Sequence, residues 1–247
     1  MAIEGRKVAS GAHSTVEIFS AALKGSLGEQ LVALIVSGEA TREDFVPGRS
    51  AIDSVALLTA VDADSLGAIR GAWKPLARKG LQPPITLTPQ ALAGSLDVFP
   101  VEFLIVRETG VVVAGEYDLS ILDIAMDDLR LQCERELRGL ALHTRLAGIR
   151  FGDDGRAIGN WLLGGSGKLD MLLLSLEYLG TGGTVGPDAK RLTALSTGSN
   201  VDCSAFAMLH QLRGQKRPRV EPAALYELER TLTALVSWVD TFDSVAR

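Results

Sequence analysis

The segment 31–61 constrains the fold more than any other part of this 247-residue chain. It begins with a short β-rich apolar run, LVALIV (31–36), and ends with a second one, IDSVALLTAV (52–61). Between them Gly38 opens a polar loop that contains Pro47-Gly48. Short apolar runs bounded by polar residues are typical of buried strands. The segment therefore predicts two strands joined by a long loop, a layout that suits phosphate and metal binding.

Helical and strand patterns alternate in the first half of the chain, whereas the second half is helical throughout. We predict helices at 14–23, at 65–80 with a break or kink at Pro75, and at 88–98. Two further strands, VEFLIVRE (101–108) and VVVAGE (111–116), are predicted as a hairpin around Thr109-Gly110. Five helical segments without strands follow and indicate a bundle. The fold class is therefore α/β, with a short mixed sheet in residues 1–118, followed by an all-α helical bundle domain in 119–247. GEYDLSILDI (115–124) forms the junction.

Two features of the predicted bundle bear on function. The last helix carries an apolar stripe that either closes the bundle or forms a dimer face, so a homo-oligomer is possible; its members are Leu225, Leu228, Leu232, Leu235 and Val239. GGSGK (164–168) resembles a phosphate-binding loop, but Leu162 and Leu169 stand where that motif needs glycine and Ser/Thr. We interpret it as part of a helix.

Composition excludes several classes of function. The net charge of −5 argues against a nucleic-acid partner, which requires a basic face. The basic tract RGQKRPR (213–219) is predicted to be a solvated loop, with an anion or partner contact as the alternative. Neither a signal peptide nor a membrane span is recognised, and Cys133 and Cys203 are predicted to be reduced packing residues. These features predict a cytoplasmic protein without a membrane partner.

The stretch from Gly38 to Asp53, with EDFVPGRS (43–50) in its loop, resembles the nucleotidyltransferase signature of the DNA polymerase β superfamily. SLDVFPVEF (95–103) resembles the strand that supplies the family's third carboxylate. DDLRLQCERELRG (127–139) resembles the start of the helical domain in a bacterial branch related to kanamycin nucleotidyltransferase. The resemblance implies a nucleotidyltransferase fold.

The family's chemistry explains its motif. A Gly-Ser pair after the first strand lets backbone and hydroxyl groups approach a triphosphate, and an Asp-x-Asp on the next strand holds two Mg²⁺ ions that activate the nucleophile and stabilise the leaving pyrophosphate. Carboxylates two residues apart on a strand share a face, so both reach the metals.

This sequence departs from the motif twice. Gly38 matches the glycine, but Glu39 replaces the serine and brings a negative charge beside the expected phosphates. Asp-x-Asp is Ala51-Ile52-Asp53, and the Ala51 methyl group cannot bind Mg²⁺. By the resemblance, Asp53 and Glu102 remain as catalytic and metal-ligand remnants. Both losses together predict a catalytically degenerate protein, a pseudoenzyme, that binds, regulates or scaffolds and needs no cofactor.

Alternatives stay open for each candidate. In an active protein, Asp53, Glu102 and Glu39 would form a rearranged Mg²⁺ site that moves an NMP from ATP or another NTP to a small-molecule or protein acceptor. Gly38, Glu39, Arg49 and Ser50 would then contact the nucleotide, although Arg49 and Ser50 equally suit turn stabilisation. Asp53 also suits a strand-start carboxylate, and Glu102 a solvated strand face. Without transfer, an unidentified protein or small ligand in the interdomain cleft is the expected partner.

Overall fold

The computed structural model describes residues 6–215 and 217–242, apart from the side chain of His210. The chain divides into two compact units, Met1–Ile124 and Ala125–Arg247. The division therefore falls at the C-terminal end of the junction segment, residues 115–124.

Helices and strands alternate along the first unit, and short 3-10 turns connect several of them. In chain order the elements are α1 (Ser10–Leu27), β1 (Leu31–Ser37), β2 (Asp53–Leu58), α2 (Ala63–Trp73), β3 (Ile85–Leu87), α3 (Pro89–Ala93), α4 (Pro100–Thr109) and β4 (Val111–Gly115).

The four strands form one mixed sheet in the order β3-β2-β1-β4. Strand β1 pairs antiparallel with both β2 and β4, whereas β2 and β3 are parallel. The β1–β2 register places Ser37 opposite Asp53. The long loop of residues 38–52 therefore leaves and re-enters the sheet at one end, with its two ends side by side.

Helices cover the sheet because its strands alternate apolar residues on both faces. Leu34 and Val36 of β1 join a core with Phe19 and Leu23 of α1. Ile35 points to the opposite face, where α4 packs against β1. Burial on both faces fixes the strand that leads into the loop.

The segment predicted as the strand VEFLIVRE is helix α4, and this corrects the hairpin prediction around Thr109-Gly110. Pro100 occupies the start of the helix, where its missing N–H costs no hydrogen bond. Val101, Phe103, Leu104, Ile105 and Val106 are all buried, so the helix has no clean amphipathic period. Glu102 consequently lies in the first turn of a helix and not on a strand.

The second unit is helical in its described residues. Its helices are α5 (Met126–Phe151), α6 (Gly155–Gly180), α7 (Arg191–Ser199), α8 (Ala207–Gly214) and α9 (Pro222–Asp240). The predicted stripe from Leu225 to Val239 is buried, which supports its role in closing this unit. The GGSGK sequence lies inside α6, as predicted. No helix in the described residues combines the length and apolarity needed to cross a bilayer.

Two buried arginines are neutralised inside the second unit. Arg191 contacts the buried Glu177 at 3.0 Å and Asp188 at 2.5 Å. Arg213 is buried and pairs with Asp170 of α6. Arg213 opens the RGQKRPR tract, so that part of the tract is not the solvated loop that the sequence predicts. Burial without a paired carboxylate would be costly for either guanidinium.

Candidate functional site

The candidate site begins where β1 ends. Gly38 has φ +68°, a left-handed conformation that favours glycine. Its N–H donates to Oγ1 of Thr109, at the end of α4, at 2.8 Å, and its carbonyl accepts from the Thr41 hydroxyl at 2.9 Å. The turn that follows β1 is thereby attached to α4 by a side-chain hydrogen bond.

The first half of the loop is fixed against the start of α1. The Ala9 N–H donates to the carbonyl of the buried Ala40 at 2.8 Å. Gly11 faces Phe45 and Pro47, and a Cβ at Gly11 would lie 2.8 Å from Cγ of Pro47. The loop therefore packs on a surface that only glycine leaves open.

The second half of the loop is a closed turn. Buried Ser50 donates its N–H to the Val46 carbonyl at 2.9 Å, and its hydroxyl accepts from the Val46 N–H at 3.2 Å. Gly48 supplies the left-handed residue of the turn, with φ +77°. Arg49 is exposed. Ser50 thus stabilises the turn, one of the two roles considered from the sequence.

Glu39 closes the loop with its side chain. Its carboxylate Oε2 accepts the backbone N–H of Ala51 at 2.8 Å, across 12 residues of chain. The two positions at which the sequence departs from the family motif are therefore bonded to each other. A carboxylate of the protein itself therefore accepts the hydrogen bond from the backbone amide just before the second strand.

Asp53 opens β2 on the side of the chain that faces solvent. Asp53 is exposed and Ala51 half-buried, whereas Ile52 and Ser54 are buried, as the two-residue period of a strand requires. Partial loss of hydration raises the pKa of Asp53, and the charge of Glu39 raises this pKa further. Glu39 and Asp53 therefore lie close together at the mouth of the loop.

Glu102 is held by α4, which packs on β1 and on the turn from Gly38 to Thr41. No group of three or more carboxylate, histidine or cysteine side chains suited to a metal ion occurs among the residues that the structure describes. The Ala51 side chain offers no oxygen donor, so the site does not fit the family's pair of Mg²⁺ ions. The metal roles of Asp53 and Glu102 stay predictions.

The two cysteines, Cys133 and Cys203, are buried free thiols. Burial raises the pKa of the Cys203 thiol, which keeps it protonated.

Comparisons with known proteins identify the architecture. The chain matches no family model and no curated protein sequence. Among solved structures, it is similar to spectinomycin adenyltransferase AAD(9) from Enterococcus faecialis, solved with ATP and spectinomycin. The TM-score is 0.56 at 12% identity, over 93% of this chain and 99% of the other. The chain has the nucleotidyltransferase fold. An α/β unit with a mixed sheet and a helical unit, both predicted from the sequence, are confirmed for this nucleotidyltransferase-fold protein.

Proposed function

We propose that this nucleotidyltransferase-fold protein has lost or severely weakened nucleotidyl transfer, and that it acts by binding a protein partner or a small ligand. One observation carries the proposal: the Glu39 carboxylate accepts the Ala51 N–H. In the family motif these positions hold a phosphate-contacting serine and a metal-binding aspartate. Here they hold a loop-closing carboxylate and a methyl group.

The physical consequence is repulsion where a triphosphate would need attraction. Two unit charges 4 Å apart interact by about 4 kcal/mol at an effective dielectric constant near 20, and Glu39 and Asp53 would both face the incoming phosphates. Mg²⁺ ordinarily offsets such repulsion through oxygen ligands, and Ala51 removes one of them. Hydrogen bonds of Gly38, Ser50 and Glu39 keep the loop closed, so the loop holds its conformation although two motif residues differ.

The alternative is an active enzyme with a rearranged site. The charge of Glu39 raises the pKa of Asp53, and two carboxylates this close to each other can share a cation. With Glu102 as a third ligand, Mg²⁺ would then support transfer of an NMP from ATP or another NTP to a small-molecule or protein acceptor. The similar AAD(9) structure contains ATP and spectinomycin.

Calorimetric titration with ATP and GTP, each with and without Mg²⁺, tests the proposal. We expect no Mg²⁺-dependent heat for the natural chain. The double variant Glu39→Ser with Ala51→Asp restores both motif positions, and we expect it to gain Mg²⁺-dependent binding. Glu43→Ser is the matched control because Glu43 is an exposed carboxylate of the same loop.

Micromolar Mg-ATP binding by the natural chain, together with transfer of labelled nucleotide, would refute loss of activity and favour the rearranged site. In that case Asp53→Asn and Glu102→Gln should each abolish the transfer. Binding partners would be sought by cross-linking only if the natural chain shows no such transfer.

A further inference from the structure

A second basic cluster lies on α2 and the turn after it, apart from the loop of residues 38–52. Arg70, Lys74 and Arg78 are exposed there. No aspartate or glutamate occurs in the sequence between Asp64 and Asp97, although the chain as a whole is acidic. Four of the ten Lys and Arg residues of the first 118 positions fall between 70 and 79. This segment is therefore strongly positive within an acidic protein.

Helix geometry brings two of the three cations together, and the turn after α2 adds Arg78. Residues four apart on an α-helix lie about 6 Å apart along its axis, so Arg70 and Lys74 are neighbours, and Gly67 and Gly71 lie between and beside them. A Cβ at either glycine would meet nothing within 4 Å. The result is an open depression of about 670 Å³, lined by Gly67, Arg70, Gly71, Lys74, Pro75 and Arg78.

In the part of the chain that the structure describes, the three cations of the depression form no ion pair. Within the described residues, none of them lies within 4.0 Å of a carboxylate oxygen. By contrast, Arg138 and Arg145 of α5 each pair with a glutamate. Like charges at i and i+4 destabilise a helix. A bound anion would relieve the repulsion between these cations, so the cluster should attract one.

The scaffold under the depression is rigid. A capping box between Asp62 and Ser65 starts α2, and Ile69 and Leu76 are buried beneath the helix and turn. Trp73 Nε1 donates to the Leu81 carbonyl at 2.9 Å, and the Ile52 N–H donates to the Gly80 carbonyl at 2.9 Å. The cations therefore project from a fixed base, which favours a defined binding geometry.

We infer that this depression binds a small ligand carrying a chain of two or more phosphate groups. Arginine matches phosphate oxygens with its planar fork, lysine supplies a point charge, and the two glycines leave the space between the cations open. The volume suits a compact ligand. A nucleic-acid strand is a poorer fit because none of the six lining residues is aromatic, so bases find no stacking surface. An acidic peptide is a poorer fit because its carboxylates are spread along an extended backbone.

Inorganic tripolyphosphate is the probe, titrated calorimetrically in EDTA at low salt. We expect saturable binding with a stoichiometry of one, weakened as NaCl rises from about 50 to 200 mM because the cations are exposed. Lys74→Gln should weaken the binding at least about fivefold. Lys79→Gln is the matched control: it removes the same charge five residues away, outside the lining, and should change the affinity less than about twofold.

A steric variant separates a site from general attraction. Gly71→Leu keeps every charge, improves helix propensity and fills the floor of the depression. We expect it to abolish tripolyphosphate binding while the thermal midpoint stays equal or rises. Unchanged binding by Gly71→Leu, or equal loss in the Lys74 and Lys79 variants, would overturn the inference.

Competition identifies the source of the phosphates. ATP without metal should displace tripolyphosphate if nucleotides are natural ligands. Tighter binding of longer polyphosphate chains than of tripolyphosphate, without displacement by ATP, would indicate an inorganic polymer; either result supports the site. Tighter binding of poly-glutamate of equal charge, or of single-stranded DNA, would overturn it. These measurements use no Mg²⁺ and no residue of the loop, so their failure leaves the proposal of a degenerate transfer site untouched.

Discussion

At the scale of single residues, Glu39 and Asp53 place two carboxylates close together at the mouth of the loop. Asp53 is held near Glu39, and both loss of hydration and this charge raise the pKa of Asp53. Because Glu39 also accepts the Ala51 N–H, its charge is kept in place by the fold. The effect of the Glu39 charge can therefore be measured separately, by a substitution that removes the charge and keeps the hydrogen bond.

Glu39→Gln should lower the pKa of Asp53. The amide oxygen of glutamine can still accept the Ala51 N–H, so only the charge is removed. The partial loss of hydration remains, and the pKa should stay above the ordinary aspartate value of about 3.9. NMR titration of the carboxyl carbon measures the change. Glu43→Gln on the same loop serves as the control, and an equal shift there would contradict a direct effect of Glu39.

Asp53→Asn should raise the thermal midpoint at pH 7. A carboxyl whose folded pKa is raised disfavours folding at every pH above that pKa, and the penalty fades as pH falls toward the unfolded value near 3.9. The gain from asparagine should therefore shrink between neutral and strongly acidic pH. A gain that is constant over this range would show that the charge is not responsible.

Ser54→Ala should stabilise the protein by about 1 kcal/mol. The Ser54 hydroxyl is buried and finds no hydrogen-bond partner among the described residues, so its removal ends a desolvation cost. Ser65→Ala is the opposite case, because Ser65 completes the capping box of α2. The free energy of unfolding of that variant, measured with urea, should be about 1 kcal/mol lower than that of the natural chain. An equal loss of unfolding free energy in both variants would show that the Ser54 hydroxyl does make a stabilising hydrogen bond.

Among the elements, the contact between α1 and the loop is close enough to be tested by a single methyl group. Two glycines of α1 provide a matched pair. A methyl group added at Gly25 would have no atom within 4 Å, whereas one added at Gly11 would lie 2.8 Å from the Pro47 ring. The same chemical change therefore tests open space in one case and loop packing in the other.

Gly25→Ala should stabilise α1 by up to about 1 kcal/mol through helix propensity. Gly11→Ala should be less stable than Gly25→Ala by about 1–2 kcal/mol, because the methyl group must displace Pro47 or the helix start. Urea unfolding gives both free energies. Identical stabilities for the two variants would show that the loop yields to the methyl without cost.

The elements also show what sequence patterns can predict. LVALIV and IDSVALL were recognisable because short β-branched runs between polar residues suit strands, and both form the centre of the sheet. VEFLIVRE failed because a helix buried on several sides loses its period, and Pro100 at the helix start was the available signal. The three-residue strand β3 is too short for any pattern to register.

The candidate site was less predictable than the fold. The positions of Gly38, Glu39, Ala51 and Asp53 along the chain follow from the motif, but the bond from Ala51 to Glu39 is a tertiary contact that no spacing reveals. The basic cluster on α2 was missed for a related reason. Its cations are four apart in sequence and become a patch only when α2 and the turn after it have folded. RGQKRPR was conspicuous as a run, yet its Arg213 is buried.

For the whole molecule, the division into two units suggests separate folding. Each unit holds about half of the chain and buries its own apolar residues, around Phe19 and Leu23 in the first and around Leu228 and Leu232 in the second. We expect the fragments 1–124 and 125–247, expressed separately, each to unfold cooperatively on heating. Circular dichroism and calorimetry measure this, and a fragment without a cooperative transition would show that it depends on the other.

The pairing of β1 with β4 sets the order of events on the ribosome. Ile35 pairs with Val112, 77 residues later (112 − 35). At about 5–20 residues per second, roughly 4–15 s of translation separate the two strands. During that interval one edge of β1 has no neighbour, and an open edge is a template for pairing with another chain. The nascent protein is therefore most exposed to aggregation before Gly115 emerges, and a chaperone that holds β1 over this interval would improve its yield.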